Sequence, residues 1–340
     1  MVAKPFPILF ISASRIGDAV LASGLLKRLV DDAPNATFTI VTSALSAPLF
    51  QDTPRLHRLI VLEKEKYGLH WLRLWREARK TRWGLVLDMR GSGIARLLSA
   101  RRRAIRRSPA PGSEPVHKVI EAARVLGLED DLPTPFLFTT AERDAAAAEL
   151  VRGEGPILAM GPAASWMGKS WPAEKFAVVA AELMNRSDSP MAGGRLLLLG
   201  GPDDRMACEP VRRSVSRSRL IDLVGKVDLL TAYATLKHAR LFIGNDSGLM
   251  HLAAAAGAPT IGLFGPSDER LYAPWGPVAR AVRGPRDFET VRATDPGLNQ
   301  MMNHMADLPV DWVSKAAREL LVATGGGGAK DAGDPDATDL

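Results

Sequence analysis

Short apolar runs and amphipathic stretches follow one another along the first half of the chain. The apolar runs predict buried strands at "PILFIS", "ATFTIV", "RLIVL" and "LVLDM". The stretches between them have helical spacing, from about Asp18 to Val30, at "GLHWLRLWREARK" and at "HKVIEAARVLGL". Such an alternation of strand and helix is typical of a parallel sheet that is covered by helices on both faces.

The same order of elements starts again in the second half. "TPFLFTTAERDAAAAELVRGEGP" predicts an extended segment, an alanine-rich helix and a domain junction at residues 153–156. Further strands are predicted at "ILAMGP", "RLLLLGG", "LIDLVG" and "LFIG", with helices at "AEKFAVVAAELMNR", "DLLTAYATLKHA" and "VDWVSKAARELLVAT". We therefore expect an α/β fold of two Rossmann-like, doubly wound parallel-sheet domains, residues 1–152 and 153–324, which face each other across a cleft. Residues 325–340 are low in apolar side chains and are expected to be disordered.

Positive charge is concentrated in the first half. Residues 1–150 hold 23 Lys and Arg against 16 Asp and Glu, whereas residues 151–340 hold 21 against 22. The densest patch, "RRRAIRR" at residues 101–107, is either a solvated basic loop or a contact for an anionic partner such as phosphorylated lipid, a membrane surface or nucleic acid. Few aromatic residues interleave with these arginines, so a base-stacking surface is not expected. The candidate anion-binding residues are Arg15, Arg90, Arg101, Arg102 and Arg103.

Several functional classes are excluded by what the sequence lacks. Cys208 is the only cysteine, which excludes an internal disulfide and a cysteine-built metal site and fits a reducing cytoplasm. No apolar run reaches the roughly 18 residues that cross a bilayer, and the N-terminus has no signal-peptide pattern. The sequence has no G-x-x-x-x-G-K-[ST] loop, no dinucleotide fingerprint of three glycines and no Asp-rich or His-rich metal cluster.

Gly17 and Asp18 follow the first predicted strand and open a helix. Ligands bind at the carboxyl ends of the strands in such sheets, where this turn must lie. Gly17 allows a close approach of backbone. Asp18 has two interpretations that can coexist: a helix N-cap, or a carboxylate at the edge of the cleft that accepts a proton from a hydroxyl nucleophile.

Lys169 lies in a loop between a strand and a helix, in "GPAASWMGKSWPAEKF". A loop lysine beside a helix N-terminus suits an anion, although an ordinary surface lysine is the alternative. The neighbouring Trp166 and Trp171 are each either a core anchor or a stacking wall for a ligand.

A third turn, "GNDSGLMH", contains the elements of a phosphate cradle. A helix that begins near Asp246 offers free backbone N–H groups, Ser247 adds a hydroxyl, and Gly248 leaves space for a ligand. Asp246 is expected to bind sugar hydroxyls or to cap its own helix. His251 either reaches the cleft or is a structural histidine whose nitrogens are satisfied.

Asp203 and Asp204 follow the strand "LLLLGG" and a Gly-Gly turn. Carboxylates at this point of a doubly wound sheet commonly bind ribose hydroxyls. A plain turn is the alternative interpretation.

Three blocks together resemble the signature regions of a known family. "RIGDAVLASGLLKRLVDDAPNATFTIVT", "GPAASWMGKSWPAEKF" and "IGNDSGLMHLAAAAGAPTIGLFGPS" are similar to those of glycosyltransferase family 9, the ADP-heptose:lipopolysaccharide heptosyltransferases. The resemblance extends in order over about residues 7 to 322. "MADLPVDWVSKAARELL" resembles the family's closing helix, without the cysteines often found before it.

The resemblance implies a GT-B fold and a metal-independent, inverting enzyme that needs no cofactor. The N-terminal domain would hold the acceptor and the C-terminal domain the donor, ADP-heptose. Asp18 would be the general base, and Lys169 would bind the donor phosphates and stabilise the departing ADP. Asp203 or Asp204 would bind the ribose, and adenine would lie beside Val227. The donor-binding residues implied in this way are Gly17, Asp203, Asp204, Val227, Asp246, Ser247, Gly248 and His251.

The implied acceptor is the phosphorylated lipid A/Kdo inner core of lipopolysaccharide. It would lie against the basic N-terminal half, at the inner face of the cytoplasmic membrane, with peripheral binding and no nucleic-acid partner. The helix "LHWLRLWREARKTRW", with Trp71 and Trp75, would contact the membrane surface or be a buried helix with a solvated basic side. Two alternatives stay open: a family member that uses another nucleotide sugar or acceptor, and a non-catalytic GT-B binding protein.

Overall fold

Eleven strands form two separate sheets in the computed structural model, which describes residues 6–110, 112–299 and 301–325. The strands are β1 (Phe6–Ile11), β2 (Ala36–Thr42), β3 (Leu56–Val61), β4 (Trp83–Asp88), β5 (Ala100–Ile105), β6 (Ile157–Gly161), β7 (Arg195–Leu198), β8 (Leu220–Asp222), β9 (Leu241–Asn245), β10 (Thr260–Phe264) and β11 (Ala279–Arg283). The central strands β1, β4, β6, β9 and β10 are almost entirely buried and apolar, as strands covered on both faces must be.

All pairs in both sheets are parallel. The first sheet has the order β3-β2-β1-β4-β5 and the second the order β11-β10-β9-β6-β7-β8. Counted from its own first strand, the second sheet reads 3-2-1-4-5-6, the doubly wound order, and the first sheet is the same pattern with one strand fewer. The predicted fold class, two Rossmann-like domains of the GT-B type, is therefore confirmed.

Helices cover both sheets. They are α1 (Ile16–Leu21), α2 (Ser23–Asp32), α3 (Leu69–Ala78), α4 (Ile94–Leu97), α5 (Lys118–Ala123), α6 (Ala141–Leu150), α7 (Ala173–Asn185), α8 (Arg205–Arg213), α9 (Leu229–Leu236), α10 (Gly248–Ala255), α11 (Glu269–Tyr272), α12 (Phe288–Thr294) and α13 (Val310–Ala323). The predicted helix from Asp18 to Val30 is two helices, α1 and α2, which meet at Ala22. Strands β5 and β11 and helices α4, α11 and α12 were not predicted.

The basic run at residues 101–107 is not a loop. Its first five residues belong to β5, which lies at the edge of the first sheet. An apolar-pattern search misses such a strand because three of its six side chains are arginines in a row. Arginines on an edge strand also have a physical role, since they discourage further strand pairing with another chain. The interpretation of this run as a solvated basic loop was therefore wrong about its backbone.

The two sheets are joined by a continuous apolar interface. One buried cluster runs from α1 and α2, through Val20 and Leu25, to Leu230 of α9 and Met250 of α10. Arg143 of α6 adds a polar link, because its Nε lies 2.6 Å from Asp52 and its Nη1 lies 3.0 Å from Asp228. Helix α6 thus contacts elements of both sheets, and the boundary at residue 152 remains a prediction.

The end of the described chain packs on the second sheet. Helix α13 lies against α7 and β11, and its Val313 and Leu320 belong to the apolar core of that side. Within the described ranges, no helix has the length and apolar character that a membrane span requires. The prediction for the tail falls on residues 325–340, of which residues 326–340 lie outside the described residues.

Candidate active site

Asp18 lies in the first turn of α1, directly after β1, but it is not the N-cap. The N-cap position belongs to Arg15, which makes no side-chain capping bond. Over residues 6–110, 112–299 and 301–325, the Asp18 carboxylate takes part in no hydrogen bond or ion pair. The interpretation of Asp18 as a simple cap was therefore wrong, and a half-buried carboxylate is left free to act on a ligand.

Burial raises the pKa of Asp18 above its ordinary value, and this effect outweighs the nearby cations. Arg15, Lys118 and Arg106 each lower the pKa, whereas the charge of Glu121 raises it. Such a shift suits a general base, because the strength of a carboxylate base rises with its pKa. The sequence pointed to Asp18 but to neither Lys118 nor Glu121 as its neighbours.

Glu121 organises the charges around Asp18. It is buried in α5, where it forms ion pairs with Lys118 one helical turn earlier and with Arg106, whose Nε lies 3.0 Å from Oε1. Arg106 directly follows the edge strand β5. Of the basic run, Arg106 is thus the residue that the fold turns towards Asp18.

Lys169 and Asp246 form an ion pair on the other side of the site. Lys169 ends a short 3₁₀ turn, Met167–Lys169, and its Nζ donates to Asp246 Oδ2 at 2.5 Å. The side chain of Asp246 is only 7 % exposed. Because α10 begins at Gly248 with Ser247 as its N-cap, the expectation that Asp246 caps its own helix was wrong. Lys169 is likewise not an ordinary surface lysine.

Asn245, which sequence reasoning passed over, holds the lysine loop in place. Its Nδ2 donates to the carbonyl of Pro162 at 2.6 Å, and its Oδ1 accepts from the backbone N–H of Trp171 at 3.0 Å. Trp171 itself is buried and donates its indole N–H to Leu308, so it is a core anchor. The buried Asn at the end of β9 was the available signal, since a buried amide needs such partners.

Two polar atoms at the start of α10 are buried without partners. Ser247 Oγ and His251 Nδ1 accept and donate no hydrogen bond within the described part of the chain. Burial lowers the pKa of His251 to about 4, so the ring is neutral although its Nε2 lies 3.9 Å from Asp246 Oδ1. His251 is therefore not a structural histidine with satisfied nitrogens. Unpartnered buried polar groups of this kind are typical of a binding site.

Two glycines bring α1 and α10 together across the boundary between the sheets. A Cβ on Gly17 would lie 2.9 Å from His251 Cδ2, and a Cβ on Gly248 would lie 2.6 Å from Ile16 Cγ2. Neither position has room for a side chain without displacing its neighbour. This contact places the turn that carries Asp18 beside the turn that carries Asp246 and Ser247.

His117 makes a second contact between the two halves. Its Nδ1 accepts from the backbone N–H of Val119, which assigns the proton to Nε2, and Nε2 donates to the carbonyl of Ala273 at 2.9 Å. The ring stacks on Trp275 with centroids 4.6 Å apart. Tyr272, in the same segment, has its pKa raised by burial to about 12 and stays protonated.

The arrangement combines a free carboxylate, a cation and the N-terminus of α10 in one place. A carboxylate can accept a proton, while a lysine and free backbone N–H groups can bind a phosphate and stabilise negative charge on a leaving group. Groups of three or more metal-ligating side chains are absent from the residues that the structure describes.

The sequence model of glycosyltransferase family 9 (heptosyltransferase) matches residues 71–296. The chain belongs to this family. It is a glycosyltransferase, and its matched region includes Lys169, Asp246, Ser247 and His251. Asp18 precedes the matched region but lies beside it in the fold.

Curated relatives cover most of this family 9 chain. Lipopolysaccharide heptosyltransferase 3 of Escherichia coli is 25% identical over 293 residues, 76% of this chain and 83% of the relative. Lipopolysaccharide heptosyltransferase 2 of Salmonella typhimurium is 24% identical over 323 residues, 85% and 91% of the two chains. The solved structure of E. coli ADP-heptose lps heptosyltransferase II superposes with a TM-score of 0.71 at 21% identity, covering 94% of this chain and 99% of that one.

The remaining candidate donor residues are Asp203 and Asp204, which follow β7, and Val227, which follows the edge strand β8. Asp204 is committed to its own turn, because its Oδ2 accepts from the backbone N–H of Gly201 at 2.7 Å. Asp203 is exposed, and Val227 is half-buried against the apolar core. Asp204 thus has a turn contact and Asp203 has none among the described residues, and the choice between them for the ribose stays a prediction.

The candidate anion-binding arginines do not form one patch around Asp18. Arg15 is exposed and lies close enough to Asp18 to lower the pKa of that carboxyl group. Arg101, Arg102 and Arg103 lie along the exposed edge strand, and Arg103 donates to the carbonyls of Ala95 and Leu98. Arg90 follows β4 and donates its Nε to the carbonyl of Ser12 at 2.9 Å.

Proposed function

We propose that this enzyme transfers heptose from ADP-heptose to the lipid A/Kdo inner core of lipopolysaccharide, with inversion at the anomeric carbon. The observation that carries the proposal is the contact of Gly17 with His251, which sets the free carboxylate of Asp18 beside a donor turn whose Ser247 Oγ and His251 Nδ1 have no partners among the described residues. The relatives named lipopolysaccharide heptosyltransferases 2 and 3 support the choice of sugar and acceptor.

In the proposed reaction Asp18 is the general base. Its carboxylate takes the proton of an acceptor hydroxyl, and the oxygen forms a bond to the anomeric carbon as the bond from that carbon to ADP breaks. The electron pair of the broken bond leaves with ADP. Attack opposite the leaving group inverts the configuration. The transferred sugar passes through an oxocarbenium-like transition state, as in glycoside hydrolysis.

The donor turn stabilises the charge that develops on ADP. Lys169 Nζ, the hydroxyl of Ser247 and the backbone N–H groups at the start of α10 are the donors for the diphosphate. Asp246 positions Lys169 through their ion pair and binds sugar hydroxyls. Gly248 lets the start of α10 pack closely against Ile16 of α1, and neutral His251 donates or accepts a hydrogen bond to the sugar or phosphate.

Ribose and adenine are assigned to the turns that follow β7 and β8. Because Asp204 Oδ2 already accepts from Gly201, we assign the ribose hydroxyls to Asp203. Val227, just before α9, provides an apolar edge for the adenine.

Lys169 and the start of α10 supply positive charge at the leaving group, so we propose that turnover needs neither a metal nor a cofactor.

Arg15 and Arg106, on the N-terminal side, would bind the phosphates of the acceptor. The enzyme would then act as a peripheral protein at the inner face of the cytoplasmic membrane, without a nucleic-acid partner.

The proposal is tested by release of ADP when the enzyme is given ADP-heptose and a heptose-free core acceptor. We expect turnover in the presence of excess EDTA, a product one heptose heavier by mass spectrometry, and an inverted anomeric configuration by NMR. Turnover with another nucleotide sugar but not with ADP-heptose would favour the alternative donor. Binding of ADP-heptose without turnover on any core acceptor would favour a non-catalytic binding protein.

The acid side of the pH profile tests the role of the charges around Asp18. Asp18 acts as a base only when it is ionised. The value of kcat/KM should therefore be full above the pKa of Asp18 and should decrease as the pH falls through that pKa. Arg106→Gln and Lys118→Met remove charges that lower this pKa, and each is expected to move the acid limb to higher pH. Glu121→Gln removes a charge that raises the pKa and is expected to move the limb to lower pH. Shifts of all three variants in the same direction would contradict this assignment.

A further inference from the structure

A large cavity opens on the N-terminal domain, between α3 and α4. Its volume is about 650 Å³, within the range of cavities that hold small ligands. Its walls are mostly apolar or aromatic, and the residues that the argument uses are Trp71, Leu72, Trp75, Arg90, Ile94 and Leu97. None of these residues has a part in the proposed sugar transfer.

The rim of this cavity exposes apolar side chains to solvent. Leu72 is 42 % exposed and Leu97 is 69 % exposed, on the two helices that face each other across the opening. Leu69 at the start of α3 and Tyr67 in the turn before it are also exposed. Contiguous exposed apolar surface of this kind marks a site of contact with an apolar partner.

Arg90 lines the cavity, and further arginines lie on or at the end of the two helices that form it. Arg79 stacks on the ring of Trp75, with its Cζ 4.6 Å from the centroid, and Arg90 lies 5.7 Å from the centroid of Trp71. Arg76 and Arg96 are exposed, and neither side chain has a hydrogen-bond or ion-pair partner among the described residues. Tryptophan beside arginine is the pairing found where a protein meets the boundary between the headgroups and the acyl chains of a bilayer.

Two acidic side chains of α3 and of the segment before it are paired with arginines. Glu77 pairs with Arg58, and Glu65 pairs with Arg73 at 2.5 Å. The free charge on this face is therefore positive, in a half of the chain with 23 basic and 16 acidic residues. A purely apolar protein partner would leave these cations without counter-charges, whereas an anionic lipid supplies both an apolar chain and a negative headgroup.

The cavity lies at the same edge of the sheet as Asp18. Arg90 follows β4 and donates to Ser12, which follows β1 and leads into the turn of Asp18. Because the carboxyl ends of parallel strands meet at one edge, a lipid surface that covers the cavity also lies next to the acceptor side of the active site.

We infer that the cavity between α3 and α4 takes an acyl chain of an anionic membrane lipid, with Arg76, Arg79 and Arg96 on the headgroups, and that this contact docks the enzyme on the bilayer. The inference rests on the proposed function only in assigning the docked enzyme a lipid-linked acceptor. It names the surface of peripheral binding and the residues that produce it.

Sedimentation with vesicles tests the inference directly. We expect the full chain to bind phosphatidylglycerol vesicles and to bind phosphatidylcholine vesicles far more weakly. The double variant Leu72→Ser/Leu97→Ser should lose roughly tenfold or more in affinity for the anionic vesicles, since two apolar side chains no longer enter the bilayer. The matched control is Val178→Ser/Val322→Ser on the C-terminal domain, where the two valines are 46 % and 74 % exposed, and it should bind as the wild type does.

Arginine variants test the contribution of the positive charges to vesicle binding. Arg76→Gln/Arg96→Gln should weaken binding to the anionic vesicles by roughly tenfold at low salt and by less at high salt. Arg217→Gln/Arg292→Gln, which removes two exposed arginines of the C-terminal domain, is the control. Phosphatidylglycerol with brominated acyl chains should quench tryptophan fluorescence, and Trp71→Phe/Trp75→Phe should remove most of that quenching.

Four outcomes would overturn the inference: vesicle binding that survives the leucine variant, equal binding to both lipids, quenching that does not depend on Trp71 and Trp75, or binding only when the vesicles contain the acceptor itself. The leucine variant should keep wild-type turnover on a deacylated, water-soluble acceptor and lose turnover on acylated acceptor in vesicles. If the wild type has no heptosyl transfer at all but its vesicle binding depends on Leu72 and Leu97, the proposed function fails and the lipid site stands.

Discussion

Asp18→Asn is expected to reduce kcat by roughly 10²- to 10⁴-fold while leaving ADP affinity close to that of the wild type, because the amide cannot accept the acceptor's proton. The variant should also be at least as stable as the wild type. Burial raises the pKa of Asp18, so holding the charged carboxylate in the folded state opposes folding at neutral pH. Single-turnover kinetics and thermal unfolding of the same samples measure both effects.

The pH dependence of the stability difference follows from the same shift. A carboxyl group whose folded pKa is raised makes folding less favourable once the pH exceeds its unfolded pKa, and the loss is complete above the folded pKa. The gain in Tm of Asp18→Asn should therefore be present at neutral pH and shrink as the pH falls towards the unfolded value.

Asp130→Asn, an exposed carboxylate of the same domain, is the control and should change neither property. Full activity of Asp18→Asn would remove the base assignment, and a large fall in ADP affinity would indicate a role in donor binding instead.

Lys169→Met is expected to weaken ADP binding by roughly 30-fold or more, because it removes the cation at the diphosphate and leaves Asp246 buried and unpaired. The unpaired carboxylate repels the phosphates in addition to losing its partner. Isothermal titration with ADP measures the effect.

A double-variant cycle separates the two causes. Lys169→Met/Asp246→Asn should bind ADP more tightly than Lys169→Met alone, since the repulsive charge is gone, and should unfold at a higher temperature. The control cycle is Lys315→Met with Glu319→Gln, an exposed pair 4.0 Å apart whose coupling should be near zero. Additive effects at Lys169 and Asp246 would show that the ion pair does not control donor binding.

The order of the elements was largely predictable because it depends on local patterns. The buried runs at β1, β4, β6 and β9 are apolar except for Asp88 and Asn245 at the ends of β4 and β9, and each is followed by a turn with Gly or a polar residue. The edge strand β5 was missed, since three successive arginines give no apolar signal, and its place at the edge is what permits them. The break between α1 and α2 also left no clear mark in the sequence.

The sequence identified chemical groups of the site but not which of them contact one another. Asp18, Lys169 and Asp246 could be singled out because each lies in a turn that follows a predicted strand. Whether Asp18 caps its helix or stays free depends on where α1 begins, which the pattern does not resolve: the N-cap, Arg15, lies three residues before Asp18. Glu121, His117 and Asn245 escaped notice because their partners lie in other segments of the chain.

By itself, the sequence determined two series of strands and helices, a basic first half and a small set of polar turns, because hydrophobic periodicity and turn chemistry act over a few neighbouring residues. Only the tertiary structure decided that Gly17 touches His251, that Lys169 pairs with Asp246, and that burial raises the pKa of Asp18. These properties depend on which groups share a low-dielectric space, and that is settled by the packing of segments far apart in the chain.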